Sequence, residues 1–404
     1  MRAGGVRAYI ADVSQIAPDI ITGDRIKDGT LEAIDLKDQA VESAKIKDGA
    51  VLTIKLADGS VTTIKIADKA ITTAKLDDRA VYRIKQWLAD APPLRHVIYK
   101  NQTYNLAAGQ NNIRCGVFGG TFLHLGLDLT PAKSIMMDPA TGVYTLFNYS
   151  DVNAPPRCCV TAPPYIFYGV QSSPAKIIRL LPSTGAYTVY TLAAGENEAF
   201  CATYDGTWVW FGLNTDPAKL IRMNPADGTY TTFTLSAGNS YARAATFDGR
   251  YVWFGLYLSP GRCVRVTPET GGYTVYTLLA GQDQVISAAY DGADVWFGTN
   301  TNPGICIRMV PGTGAHTDFT LAAGEATCFS VAWADGYIWW GLNLSPAKLV
   351  KMLPSTGAYT TFTLPVAEEY PNALVFDGIS LYVGCRVSPG KVVRMPRDRY
   401  YALP

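Results

Sequence analysis

The residues able to do acid–base or metal chemistry are few and scattered. The only histidines are His96, His124 and His316, and none stands in H-x-x-E or H-E-x-x-H spacing. No G-x-S-x-G, phosphate-binding loop or dinucleotide fingerprint occurs. Eight cysteines suggest a disulfide set until their spacing is read: Cys115, Cys158 and Cys201 lie 43 residues apart, as do Cys263 and Cys306. Later copies of the first position are Ala244, Ser287, Ser330 and Ala373. The position therefore asks for a small side chain, which Cys supplies. Buried free thiols are expected, and Cys158-Cys159 lacks metal-ligand spacing.

Bases keep the same interval. Lys133, Lys176, Lys219, Arg262, Lys348 and Lys391 form one row, broken by Ile305. Three residues on come Arg179, Arg222, Arg265, Arg308, Lys351 and Arg394. Such rows suit a polyanion, but the charge balance opposes that role. Residues 95–404 carry 21 bases and 20 acids, residues 1–94 carry 14 of each, and the net charge is +1. Pairing with neighbouring aspartates is the expected role, and a nucleic-acid partner is not expected. No stretch of 18 apolar residues and no apolar signal core is readable, so neither membrane insertion nor ordinary secretion is expected.

The interval is an architecture. A Pro-Ala/Gly-x-x-Ile/Val motif begins at Pro131, Pro174, Pro217, Pro260, Pro303, Pro346 and Pro389, every step being 43. Five residues before each lies a glycine, from Gly126 to Gly384. One unit holds four short runs rich in Val, Trp, Tyr and Thr: 199–204, 208–213, 219–224 and 230–235. Asp-Gly and Pro-x-x-Gly turns separate them. Seven such units predict an all-β, seven-bladed β-propeller over 97–404. The last unit stops before its fourth strand, while Asn101–Gly109 aligns with Tyr187–Gly195. About Val97–Leu106 should therefore close blade seven and leave no free edge. The recurrent tryptophans, Trp208 to Trp340, are expected to be core between blades.

Residues 24–86 carry a second repeat, of ten residues: Ile26, Leu36, Ile46, Leu56, Ile66 and Leu76, with Asp28 to Asp78 two later. Leu31, Val41, Val51, Val61, Ile71 and Val81 fall midway. An apolar residue at every fifth place drifts off a helix face, and heptads are absent. Thin strands cannot bury a core alone, so an intertwined homotrimeric β-stem is expected, with a single-chain solenoid as alternative. Residues 1–23 form an attachment segment, and 87–96 a linker.

The run KIKDGAVLTIKLADGSVTTIKIADKAITTAKLDD resembles the decapeptide repeats of bacteriophage and virus tail fibres, over about 60 residues. That resemblance implies a homotrimeric shaft in a virion, joined to a virion or baseplate protein at one end. At the other end it implies a head for a host-surface glycan or protein. The propeller unit YVWFGL…PAKLIRM resembles the virginiamycin B lyase-like group, which implies a catalytic His and a metal held by carboxylates. No His–Glu pair stands at matching blade positions here, so no catalysis and no cofactor are expected.

A fibre's receptor site should lie on the propeller face bearing the Ala-Gly loops, where the repeat is least regular. Two residues after each recurring glycine come Asp128, Gln171, Asn214, Tyr257, Asn300, Asn343 and Arg386. At the top of each innermost strand come Arg114, Arg157, Phe200, Arg243, Ile286, Phe329 and Asn372, and loops add Glu198, Tyr241 and Tyr370. Arginines, amides and an aromatic around a shallow mouth suit an acidic glycan. The expected ligand-binding set is Arg114, Arg157, Arg243, Asp128, Gln171, Asn214, Tyr257, Asn300, Asn343 and Arg386. The reading is a trimeric fibre or spike with a receptor-binding head. A cell-surface adhesin or filament subunit is the alternative, and a lyase-like enzyme the second.

Overall fold

The computed structural model describes residues 101–396. The expected attachment segment, stem and linker lie outside the described residues. Within them the chain is a seven-bladed β-propeller, seven four-stranded antiparallel sheets. The third blade shows the plan: β10 (Ala199–Tyr204), β11 (Val209–Leu213), β12 (Lys219–Met223) and β13 (Tyr230–Thr234), hydrogen-bonded in that order. These match the four runs read from the sequence to within a residue at each end.

Burial follows position along the blade. Every residue of β11 is buried, whereas β13 is part-exposed throughout. A strand sandwiched between two neighbouring blades must be apolar on both faces, which Val-Trp-Phe-Gly-Leu provides. The innermost strands are β2 (Ile113–Phe118), β6 (Pro156–Ala162), β10, β14 (Ala242–Phe247), β18 (Val285–Tyr290), β22 (Cys328–Ala334) and β26 (Pro371–Phe376). Each touches the next, and β26 touches β2. The ring is closed as the alignment requires: β1 (Gln102–Asn105) pairs with β28 (Lys391–Pro396) in the sheet of β26 and β27 (Ser380–Cys385). Of the 97–106 expected, Asn101 and Leu106 flank the strand, and 97–100 lie outside the described residues.

The recurring glycine and the small residue have one cause. Cys201 faces Gly212 across the β10–β11 pair, and a Cβ at Gly212 would lie 2.5 Å from Cys201 Sγ and 2.8 Å from Ala242 Cβ in the next blade. Two inner strands and a neighbouring blade meet at this point, so crowding acts between blades as well as at the axis. The same position can reach across: Ser287 Oγ donates to Cys328 O at 2.7 Å, and Cys158 Sγ points at Ala199 O, 3.7 Å away. All eight cysteines are free, and burial pushes the Cys158, Cys201, Cys263 and Cys385 thiols up.

Trp210, Trp253, Trp296 and Trp340 are wholly buried and Trp339 nearly so, as the core reading requires, whereas Trp208 is part-exposed and lies under Arg222. In blades three to five the turn aspartate holds the ring: Asp205, Asp248 and Asp291 each accept from the indole N–H five residues on, at 2.7, 2.7 and 2.8 Å. Tyr382 pairs with Asp377 in the same way at 3.1 Å. Blade one puts Gly119 and His124 at these places and blade two Ala162 and Phe167, so neither keeps the pair.

His124 is 2 % exposed, and burial lowers its pKa to about 4. The unfolded chain takes up this proton near the ordinary 6.5, so it binds more protons between those values. Stability is complete above about pH 6.5 and falls as pH drops toward 4, by roughly 3 kcal/mol from this group. His124→Phe, the ring blade two uses, is expected to flatten that part of the stability–pH curve. Urea unfolding of both proteins at about pH 4.5 and pH 7 reads the difference. Equal slopes would contradict it.

The third-strand bases are structural, but not through aspartates. Arg222 donates to Pro268 O at 2.7 Å and Glu269 O at 3.0 Å, carbonyls of the next blade's Pro-x-x-Gly turn. Arg179, Arg265 and Arg308 repeat this on Pro225, Pro311 and Pro354. Arg308 alone of these four adds an aspartate, Asp294 at 3.7 Å. In the other row Lys176 and Lys219 reach the carbonyls of Asp151 and Gly195. Turn carbonyls win because a backbone oxygen is present at the same place in every blade, whatever the residue type, which an aspartate is not.

Candidate functional site: the mouth of the axial channel

Every innermost strand carries a β-bulge at one place. In β10 the register shifts between Ala199 and Cys201, which leaves Phe200 without a cross-strand partner. The same shift brackets Arg114, Arg157, Arg243, Ile286, Phe329 and Asn372. A bulge re-aims the extra side chain, and here all seven line the mouth of the axial channel, a cavity of about 240 Å³. Next along each strand comes the buried small residue, from Cys115 to Ala373, and the channel wall continues beyond it on Gly116, Cys159, Ala202, Ala245, Ala288, Val331 and Leu374.

Behind the bulged residues stands the ring two after each glycine. Asp128 Oδ2 is 2.6 Å from Arg114 Nη2. Arg157 Nε donates to Gln171 Oε1 at 2.5 Å. Arg243 donates from Nε and Nη2 to Asn214 Oδ1, at 3.2 and 3.0 Å. The two amides are oriented in turn by one carboxylate: Gln171 Nε2 and Asn214 Nδ2 donate to Glu198, at 3.2 and 2.6 Å. Glu198 thus fixes the acceptors of two arginines on neighbouring sides of it. Phe200 lies between those arginines, with Arg243 at 4.4 Å and Arg157 at 5.4 Å from its ring centre. Tyr257 stacks on the other side of Arg243 at 4.4 Å.

The rest of the expected set is more dispersed. Asn300 bonds Gln284, Tyr257 and Thr327. Asn343 Oδ1 is buried without a partner, and Arg386 stands exposed on the rim. So Arg114, Arg157 and Arg243 line the cavity, while Asp128, Gln171 and Asn214 hold them from behind. Asn372 lines it too, and both polar atoms of its buried amide lack partners.

The charge is uneven. Burial, then Arg114, lowers the Arg157 pKa to about 10, and burial lowers that of Arg243. Both guanidinium groups are half-desolvated and hydrogen-bonded to neutral amides. An anion in the mouth would offset that cost. Blades five and six add Ile286 and Phe329 to the opposite wall. With Asp128 and Glu198 set against Arg114, Arg157 and Arg243, these groups keep one net positive charge, beside an aromatic ring, an apolar wall and the unpartnered amide of Asn372.

Sequence spacing found the bulged ring but not its bulge, since a one-residue insertion shared by every blade leaves no trace in a constant period. The bridging role of Glu198 was equally hidden, because it depends on where two amides point. The backbone marks the rim in another way. Asn112, Glu198, Tyr241, Gln284, Thr327 and Tyr370, each two residues before a mouth residue, adopt positive φ between 49° and 62°. The conformation ties neighbouring blades: Glu198 N donates to Ser172 O of blade two and its carbonyl accepts from Asn214 N, and the other five positions repeat this pair of bonds. Neither His124 nor His316 lines the mouth, and among the described residues no three His, Cys, Asp or Glu side chains group as metal ligands.

Fold and mouth together define a propeller whose axial funnel is chemically asymmetric. No protein-family model matches the chain, and no curated protein matches it in sequence. Solved structures do match. Virginiamycin B lyase from Staphylococcus aureus superposes with a TM-score of 0.64 at 16% identity, over 74% of this chain and 99% of that one. A catalytically inactive form of the same lyase with quinupristin gives 0.64, 16%, 73% and 99%. The RRP9 WD40 repeats give 0.60 at 13% identity, over 74% and 97%. At such identities the likeness shows the fold alone, and this fold serves both binding proteins and enzymes.

Proposed function

We propose that the propeller is the receptor-binding head of a fibre or spike, and that its channel mouth takes a carboxylate-bearing sugar of a host-surface glycan. It acts by binding, without turnover. The observation that carries this reading is the bulge ring. Seven equivalent side chains are aimed into one cavity, and three are arginines with amide or carboxylate backing. The volume favours one sugar ring over an oligosaccharide, being below the ~300–1,000 Å³ of drug-sized sites. Phe200 offers that ring a stacking face, and the arginines offer its carboxylate forked donors.

The fibre part of the reading rests on the ten-residue repeat of 24–86. In it, residues 24–86 form a homotrimeric stem and residues 1–23 join a virion or baseplate protein, so the protein works on a virion. An extracellular or cell-surface fibre is the alternative location. Two measurements test the whole. Light scattering is expected to give three times the 43.7 kDa chain mass. A glycan array is expected to show retention on sialylated or uronic-acid glycans, weakening as salt rises. A monomer would overturn the stem, and equal retention on the neutral parent glycans would overturn the site.

A further inference from the structure

Blade one departs from its neighbours at three places that belong together. Where blades two to five carry Arg179, Arg222, Arg265 and Arg308, blade one has Met136. Where blades three to five pair Asp with Trp, it has Gly119 and His124. The result is a second cavity, about 440 Å³, between blades one and two on the face of the Pro-x-x-Gly turns. Its lining includes Phe122, His124, Met136, Pro182 and Ser183.

The neighbouring blades show what belongs there. Arg222 lies over Trp208 at 5.0 Å and Phe233 at 5.3 Å and donates to the turn carbonyls of Pro268 and Glu269. Arg179 lies over Tyr165 and Tyr190 and donates to those of Pro225 and Ala226. In blade one the equivalent aromatics are present, Phe122 and Phe147, and the equivalent turn residues are Pro182 and Ser183. Only the guanidinium is missing. In addition His124 Nδ1 is buried without a hydrogen-bond partner, where the tryptophans of blades three to five have an aspartate.

We propose that this cavity is a socket for the side chain of an arginine presented by a second polypeptide, completing from outside the clamp that blades two to five complete from within. The guanidinium slides over Phe122 and donates to the carbonyls of Pro182 and Ser183, and the neutral imidazole of His124 accepts a further N–H. Blade six fills the equivalent place with Lys351, whose Nζ lies over Tyr337 at 4.2 Å, so an ammonium can take the ring face. It lacks the planar fork with which the arginines also reach the turn carbonyls, and an arginine therefore fits the socket better. The socket shares no residue with the channel mouth and stands whether or not the mouth binds a sugar.

The test uses the full chain with N-acetyl-arginine amide as probe and N-acetyl-lysine amide as its control, by calorimetry and by NMR of the His124 ring. Saturable binding of one arginine per chain is expected, with the His124 resonances shifting, and binding of the lysine probe about ten-fold weaker. Met136→Arg installs the residue that blades two to five already carry. It is expected to fold, to melt higher and to lose the arginine binding. No saturable binding, equal binding of lysine, or binding unchanged in Met136→Arg would each overturn the proposal. Should that variant not fold, the His124 shifts in the unaltered protein still decide it.

Discussion

Alanine at Arg157 and Arg243 together is expected to cut affinity for an acidic glycan by about two to four orders of magnitude, since each charged hydrogen bond is worth roughly 1.5–3 kcal/mol. The two groups act as a unit. Both flank Phe200, and both receive their orientation through Gln171, Asn214 and the one carboxylate of Glu198. Removing them also removes two positive charges from a partly desolvated funnel. The fold should hardly notice, because these side chains occupy bulge positions outside the blade ladders, and their burial costs rather than contributes stability. Arg243→Lys keeps the charge but loses the fork on Asn214, so an intermediate loss is expected. Surface plasmon resonance on an immobilised sialylated glycan, beside a thermal melt, separates the cases. Unchanged affinity with an unchanged melt would remove the arginines from the site.

How much of this is legible in the sequence depends on what a period can encode. The blades are readable because each must present the same faces to its neighbours. A glycine opposite a small residue, as Gly212 opposite Cys201, therefore recurs without drift. Ring closure is readable for the same reason, since Thr103 and Thr232 occupy one place in the repeat, and each bonds a buried glutamate, Glu368 and Glu196. The arginine partners escape such a reading because the sequence shows charges but not carbonyls. An aspartate nearby in sequence is visible, whereas the turn of the next blade, such as Pro268 for Arg222, is 46 residues away and bears no charge. The socket of blade one is in view as a gap: the arginine row begins at Arg179, and the absent first member, Met136, is what leaves a cavity there.

Exceptions to a repeat thus carry more functional information than the repeat. Where equivalent positions keep one residue type, packing alone accounts for it, as with the fully buried Trp210, Trp253 and Trp296. Where equivalent positions share a geometry but not a residue type, as at the seven bulges, the geometry is kept and the chemistry is free to specialise. The mouth is specialised by what was put in, the socket by what was left out.

Closure supplies the second large effect. A chain beginning at Ala107 is expected to lose the cooperative fold, whereas one beginning at Ile98 keeps it. The strand from Gln102 to Asn105 completes the ladder of blade seven. Leu106 N donates to Gly390 O at 2.9 Å just beyond it. Tyr104 packs where a Cβ on Gly142 of blade one would lie and donates to Pro139 O and Ala140 O, so the strand ties the last blade to the first. Tyr104 and Leu106 are 8 % and 3 % exposed, and burying two such side chains contributes roughly 3–6 kcal/mol before any hydrogen bond is counted. That sum is comparable with the ~5–15 kcal/mol by which whole domains are stable. Its loss also bares β28 as an unpaired edge, which recruits other chains. The shorter chain should therefore aggregate and show no sigmoidal melt by circular dichroism. Tyr104→Ala in the longer chain should lower stability by about 3–5 kcal/mol while leaving the ring closed. A soluble Ala107 chain melting within a few degrees of the longer one would mean that the seven blades hold without their latch.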